Sequence, residues 1–349
     1  MTGAADIAVI VPAHDAAATV AGAVRSALGE PRVREVCVVD DASQDRTAAA
    51  AEAADDGTGR LRVVRLSVNG GPARARNVAI ERTAAPLVAL LDADDRFVPG
   101  RFDHLPPPAD WDLFADNVMF LSRAEALDAL APVAPLPVRL LDAAAFVRGN
   151  LSRRDRPRGE LGFLKPVMSR SFLDRHALRY REDLRLGEDY DLYLRALLRG
   201  ARFAVAPQAG YAALVRDDSL SVRHATADLA ALAAADGAAL REPDLPRALR
   251  RALRLHRRQT LARHALRRLL DRRAEAGRAR ALAEACGRPG DWAAITAGLA
   301  RDKWHALRDR QHRAPAPTLF SSDAPPGVAF LRPGPHASRR GPALATENA

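Results

Sequence analysis

Two groups of acidic residues each follow an apolar run directly. Asp40 and Asp41 come after Val36-Cys37-Val38-Val39, and Asp92-Ala93-Asp94-Asp95 comes after Leu87-Val88-Ala89-Leu90-Leu91. Such runs read as buried strands that end abruptly in carboxylates. In an open parallel sheet, ligands bind just beyond the carboxyl ends of the strands. Two carboxylate clusters there repel each other unless a cation or hydrogen-bond donors lie between them. The chemistry that suits this pattern is capture of a divalent metal, Mn2+ or Mg2+, with a diphosphate that the metal neutralises.

Placing those residues requires a sheet, and the sequence alternates accordingly. Ile7–Val11 reads as a strand stopped by Pro12, and Thr19–Leu28 as a helix with Val20, Ala23, Val24, Ala27 and Leu28 on one face. Val36–Val39 is a second strand, followed by a helix over Ser43–Ala54 with Ser43 as its N-cap. Leu61–Leu66 is a third strand, Asn69-Gly70-Gly71-Pro72 a turn, Ala73–Thr83 a helix and Leu87–Leu91 a fourth strand. This alternation predicts a parallel α/β sheet covered by helices. Beyond residue 104 the prolines obscure the pattern, with one possible strand at Leu113–Phe120. Order returns at Gly162–Ser169, with helices at Arg170–His176 and Glu188–Arg199, a strand at Ala201–Ala206 and a loop at Arg216–His224. Residues 225–310 read as helical, and 311–349 as a disordered tail rich in proline and glycine.

Composition narrows the class. The formal net charge is +10, yet residues 241–313 hold 20 basic against 8 acidic residues, so the positive charge belongs to the C-terminal third. Nearly all of it is arginine, Lys165 and Lys303 being the only lysines. Cys37 and Cys286 are far apart and lack metal-ligand spacing, which argues against a disulfide framework or a zinc site. No signal-peptide pattern or membrane-length apolar run is visible, so the expected location is the cytoplasm.

The order of the motifs carries a resemblance. Val9-Ile-Val-Pro-Ala-His14, Val38-Val-Asp-Asp-Ala-Ser43, Asn69-Gly-Gly-Pro-Ala-Arg-Ala-Arg-Asn77, Leu91-Asp-Ala-Asp-Asp95 and Leu186-Gly-Glu-Asp-Tyr-Asp-Leu-Tyr193 occur in this sequence. Together they resemble the GT-A glycosyltransferases of family 2 over roughly residues 6–225. Leu164-Lys-Pro-Val-Met-Ser169, together with the Leu186–Tyr193 motif, looks most like bacterial exopolysaccharide enzymes of the succinoglycan type. The resemblance implies a GT-A catalytic domain over 1–224, followed by the basic helical extension of 225–310 and the tail of 311–349.

It also implies roles. Asp94 holds the metal, Asp92 lies near the ribose or donor sugar as a second candidate ligand, and Asp95 supports them. Asp41 reads a uracil-type base, while Asp40 either stabilises its turn or meets the base from the other side. Pro12, Ala13 and His14 line the nucleotide, and Ala93 stands beside the donor. Gly71 gives the backbone close access to the ligand. Arg74 and Asn77, one turn apart on the next helix, face the nucleotide or donor sugar, with Arg76 more readily left in solvent. Asp189 is the catalytic base that takes a proton from the acceptor hydroxyl. Adjacent residues at a helix start cannot both face one point, so Glu188 is expected to orient the acceptor or cap the helix. Arg216 could counter the diphosphate charge from the 216–224 loop, and His224 could complete the metal site.

The expected reaction is therefore an inverting, metal-dependent hexosyl transfer from a nucleotide sugar, most simply a UDP-hexose, to a glycan or lipid-linked oligosaccharide. A Gln-x-x-Arg-Trp motif is missing, which argues against a processive synthase, and Pro12-Ala13-His14-Asp15 is unlike the glycine-rich loop of a nucleotidyltransferase. The arginine-rich helices suit either an anionic membrane surface or plain solvation over the catalytic domain. Nucleic acid is not an expected partner, since no reader motif accompanies the charge. The rival from another class is a non-catalytic scaffold that binds nucleotide sugars and recruits partners through these helices.

Overall fold

The structure is a computed structural model, and it describes residues 5–121, 127, 130, 137–152, 160–215, 225–286, 292, 295 and 296. The expected alternation is present. Strands β1 (Ile7–Ala13), β2 (Val33–Asp40), β3 (Leu61–Arg65) and β4 (Leu87–Leu90) pair in parallel in the order β3-β2-β1-β4. Between them run α1 (Val20–Leu28), α2 (Thr47–Glu52) and α3 (Pro72–Glu81). All residues of β1 and β4 are buried, as strands covered on both faces must be.

The second half extends the same sheet with mixed pairing. It comprises β5 (Arg96–Phe97), β6 (Leu113–Leu121), β7 (Arg139–Leu141), α4 (Ala143–Gly149), β8 (Val167–Ser169), α5 (Arg170–Arg175), α6 (Glu188–Leu198) and β9 (Phe203–Leu214). The order continues β4-β8-β6-β9-β5, with β8 antiparallel to β4 and β6 parallel to β9. Two helices close the described chain: α7 (Thr226–Ala239) and α8 (Arg247–Cys286), the latter broken at Gly277 by a φ of 80°. Arg272 pairs with Glu284 across that break, and Ala265 packs with Ala285, so the chain doubles back there.

Three expectations need correction. Strand β1 runs through Pro12, pairing it with Val39, because the β4 partner has already ended at Leu90 opposite Ile10. A proline that lacks an N–H is tolerated where one neighbour has stopped. Helix α2 starts at Thr47, with Asp45 accepting the Thr47 N–H at 2.9 Å, whereas Ser43 Oγ instead accepts from Asp15 N. Strand β9 does not end at Ala206 but continues past Pro207, its register against β6 shifting around Asn117.

The main apolar core extends into the C-terminal helices. Leu232 and Ala239 of α7, with Leu249, Ala252 and Leu253 of α8, belong to the same buried cluster as β1, β4 and α6. The tail of 311–349 lies outside the described residues.

Candidate active site

The loops after β1 and β2 are tied together. Asp41 N donates to Ala13 O at 2.8 Å, Ala16 N to Thr47 Oγ1 at 2.7 Å and Ala17 N to Asp45 Oδ2 at 3.0 Å. Asp40 Oδ1 accepts from Ser43 N at 3.0 Å, so of its two open roles the geometry shows turn stabilisation. Pro12, Ala13 and His14 line the cleft above these loops. His14 Nδ1 donates to the Asp41 carbonyl at 2.9 Å, which orients the ring.

The glycine turn is held from the same place. Asp41 is buried, and its two carboxylate oxygens accept the Gly70 and Gly71 N–H groups at 2.8 and 2.7 Å. Gly71 has a φ of 84°, a left-handed conformation that costs any residue with a Cβ. The Asp41 carboxylate, which also lines the cleft, thus anchors the turn through both oxygens. What Asp41 does is fix the start of α3.

That fixing decides which α3 residues enter the cleft. Arg74 is exposed and folds over Gly70, and Asn77 hydrogen-bonds Tyr180 O and Glu182 instead of facing the cleft. Arg76, by contrast, lines the cleft and is buried at 4 % exposure. Arg76 Nη2 meets Asp92 at 3.0 Å, while Nη1 meets Glu188 at 2.9 Å and Asp189 at 3.3 Å. Neighbouring carboxylates at the start of α6 therefore do share one point, because the longer Glu188 side chain reaches what Asp189 meets directly.

Lys165 completes the cluster from the far side. Its Nζ lies 2.9 Å from Asp92 Oδ2 and 2.9 Å from Asp189 Oδ2. Burial would lower the Lys165 pKa, but Asp189 and Asp92 outweigh it and raise it above the ordinary lysine value. Burial would likewise raise the Asp92 carboxyl, yet Lys165 and Arg76 hold it below the usual carboxylate range. Each Asp92 oxygen thus faces one cation, Arg76 or Lys165.

Asp95 is different again. Its pKa is pushed well above the carboxylate range by burial and by Asp92 and Asp94, while Tyr211 Oη donates to it at 2.7 Å and Leu214 N at 2.9 Å. Tyr211 Oη also accepts from Asp92 N at 3.0 Å. Asp95 and Tyr211 therefore brace the loop that presents Asp92, Ala93 and Asp94 to the cleft.

The cleft is about 1000 Å³, bounded by the β1 and β4 ends on one side and α6, α7 and α8 on the other. A carboxylate is a hard oxygen ligand of the kind Mg2+ and Mn2+ take. Asp94 is half-buried in the cleft wall, beside a cluster in which Arg76 and Lys165 face three carboxylates. The remaining negative charge favours a cation there. Among the described residues no three His, Cys, Asp or Glu side chains form a closed cage. That fits a cation that draws its other ligands from substrate phosphate and water. Arg216 and His224 lie outside the described residues.

Comparison with known proteins places this geometry. The profile of Glycosyl transferase family 2 matches residues 8–123. The succinoglycan biosynthesis protein ExoU of Rhizobium meliloti is 49% identical over 320 residues, covering 90% of this chain and 93% of that protein. The chain belongs to glycosyltransferase family 2. The fold is that of its GT-A members. Staphylococcus aureus TarS, solved as residues 1-349 with UDP-GlcNAc, has a TM-score of 0.54 at 20% identity, covering 77% of this chain and 74% of that one. The mannosyltransferase PcManGT of Pyrobaculum calidifontis, solved with GDP-Man and Mn2+, has a TM-score of 0.52 at 20% identity, covering 88% and 82%. In this family 2 chain, motif reading left Arg76 to solvent and gave no role to Lys165. The signal of Lys165 was its rarity, one of only two lysines among many arginines.

Proposed function

We propose that this chain is an inverting, metal-dependent hexosyltransferase that uses a nucleotide sugar, most simply a UDP-hexose, as donor. The observation that carries the reading is the convergence of Asp92, Asp189 and Glu188 on Arg76 and Lys165, in one cleft with Asp94. The acceptor is a hydroxyl of a lipid-linked oligosaccharide or another glycan in exopolysaccharide assembly, a reading supported by the ExoU relationship.

Asp189 accepts the proton of the acceptor hydroxyl as that oxygen bonds to the anomeric carbon. The bond from that carbon to the diphosphate oxygen breaks in the same displacement, and the configuration inverts. Lys165 and Arg76 hold Asp189 in one orientation, which converts proton transfer from a search into a positioned event. Asp94 would hold the cation, which when bound supplies neutralising charge for the departing diphosphate. Gly71 and His14 bound the donor side of the cleft, as backbone and as a flat ring.

A peripheral position at the cytoplasmic face of the membrane fits the outer face of α8. Arg251, Arg254 and Arg258 are exposed there, with Leu255 and Leu261 each 38% exposed between them. Among the described residues no helix is long and apolar enough to cross a membrane.

Asp189→Asn tests the mechanism. It should lower nucleoside diphosphate release from the donor about 100-fold or more while calorimetric donor affinity stays within about twofold. A fully active Asp189→Asn protein would remove Asp189 from the role of base.

A further inference from the structure

The family profile ends at residue 123, but the cleft does not. Its far wall is built from the segment after α4, the start of α7, and one face of α8. His256, Gln259, Thr260 and Arg263 of α8 all line it. Their spacing of three, four and seven residues puts them on one side of the helix. Arg251, Arg254, Leu255 and Arg258 fall on the opposite side.

This wall is joined to the proposed reaction centre. Tyr190, next to Asp189, packs against His256 with ring centroids 4.5 Å apart and the rings tilted by 31°. Tyr190 Oη and His256 Nδ1 both donate to Asp236, at 2.9 and 2.7 Å, and Asp236 is fully buried. From His256 to Arg263 the helix rises about 10 Å, so the polar stripe leads away from Asp189 for more than one sugar ring. Gln259 Oε1 accepts from Ser152 N at 3.1 Å and has no partner for its NH2 among the described residues. In the same wall, Gly162 N donates to Asn150 Oδ1 at 2.7 Å, and the neighbouring Phe163 packs edge-on against Phe120.

The chemistry of the wall states its ligand. Glu160 and Asp228 are balanced by Arg185 and Arg263, so the surface has no excess of either sign. Amide, hydroxyl, carboxylate and guanidinium groups alternate there beside an aromatic ring. A neutral polyhydroxylated ring satisfies such groups by hydrogen bonding, with its C–H face on the aromatic. We infer that the α8 stripe, with Gln259 and Arg263 as its principal contacts, is the subsite for the saccharide end of the acceptor. This rests on the glycosyltransferase reading above, and gives the C-terminal helices a part in acceptor choice.

The test is steady-state transfer by the full chain. Donors are UDP-glucose, UDP-galactose, UDP-N-acetylglucosamine and GDP-mannose with Mn2+, and acceptor probes are the octyl glycosides of glucose, galactose and N-acetylglucosamine. Wild type is expected to transfer to at least one probe. Gln259→Ala and Arg263→Ala should each raise the acceptor KM about three- to tenfold, the weight of one hydrogen bond, with donor KM moving less than twofold. Arg273→Ala, an exposed position of α8 outside the cleft lining, should leave both constants unchanged. Gln259→Glu keeps the helix and the size of the side chain, and should raise the acceptor KM even if an alanine variant folds poorly. An acceptor KM unmoved in Gln259→Glu and Arg263→Ala overturns the subsite. So does wild type that releases nucleotide yet glycosylates no probe. Wild type that releases no nucleotide from any donor contradicts the proposed function itself.

Discussion

Lys165 sits where two carboxylates would otherwise repel, and its ammonium is shared between Asp92 and Asp189. Asp92 has a depressed pKa, so the unfolded chain binds more protons than the native one between the folded value and the ordinary 3.8. The stabilisation is fully present above about pH 4 and is lost as pH falls through the folded value. Lys165, with a raised pKa, contributes below its ordinary 10.5 and loses that contribution only as pH rises through the folded value. Lys165→Met should therefore be less stable than wild type near neutrality, and the gap should close as pH falls below about 4. Guanidinium unfolding across that range checks the sign. Turnover should fall about 100-fold, because Asp189 loses the partner that orients it. The acidic residues announced themselves by following apolar runs, but their division of labour did not. Whether a carboxylate faces a cation, a glycine turn or a tyrosine depends on residues far away in sequence. Arg74 and Arg76 differ only by which side of α3 they occupy, and that is set by the Asp41 grip on Gly70 and Gly71.

At the scale of elements, α6 is placed from both ends of the chain. Gly187 precedes it with a φ of 75°, and a Cβ there would come within 2.9 Å of Leu232 on α7. Tyr190 on α6, Asp236 on α7 and His256 on α8 form one buried polar joint. Asp236→Ala would leave the Tyr190 hydroxyl and the His256 ring without their acceptor inside the core. The expected loss is about 2–4 kcal/mol, read as a lower melting temperature by circular dichroism. A variant that melts with wild type would mean the joint carries no weight. The first four strands were legible because each is a short apolar run bounded by a turn. Strand β9 was not, since Pro207 and Gly210 look like its end while a register shift against β6 lets it continue. The polar stripe of α8 was hidden as well, because its arginines dominate any reading by charge.

For the whole molecule, α8 has two faces of different character. One side joins the core and the cleft, and the other presents Arg251, Arg254, Arg258, Leu255 and Leu261 outward. A triple Arg251→Glu, Arg254→Glu, Arg258→Glu variant should lose sedimentation with phosphatidylserine-containing vesicles, and wild-type binding should weaken as salt rises. Equal sedimentation of the two would exclude this face as the contact. The C-terminal third was readable as helical and basic, yet its attachment to the catalytic core follows from buried leucines that sequence spacing alone cannot assign to a partner. The most direct test of the central claim is a thermal-shift series with UDP-glucose, UDP-galactose, UDP-N-acetylglucosamine and GDP-mannose, each with and without Mn2+ or Mg2+, in wild type and Asp94→Ala. A ligand that binds only the native state raises its melting temperature. The account predicts stabilisation by one nucleotide class, strengthened by the metal in wild type and not in Asp94→Ala. No metal-dependent shift with any nucleotide sugar would contradict it.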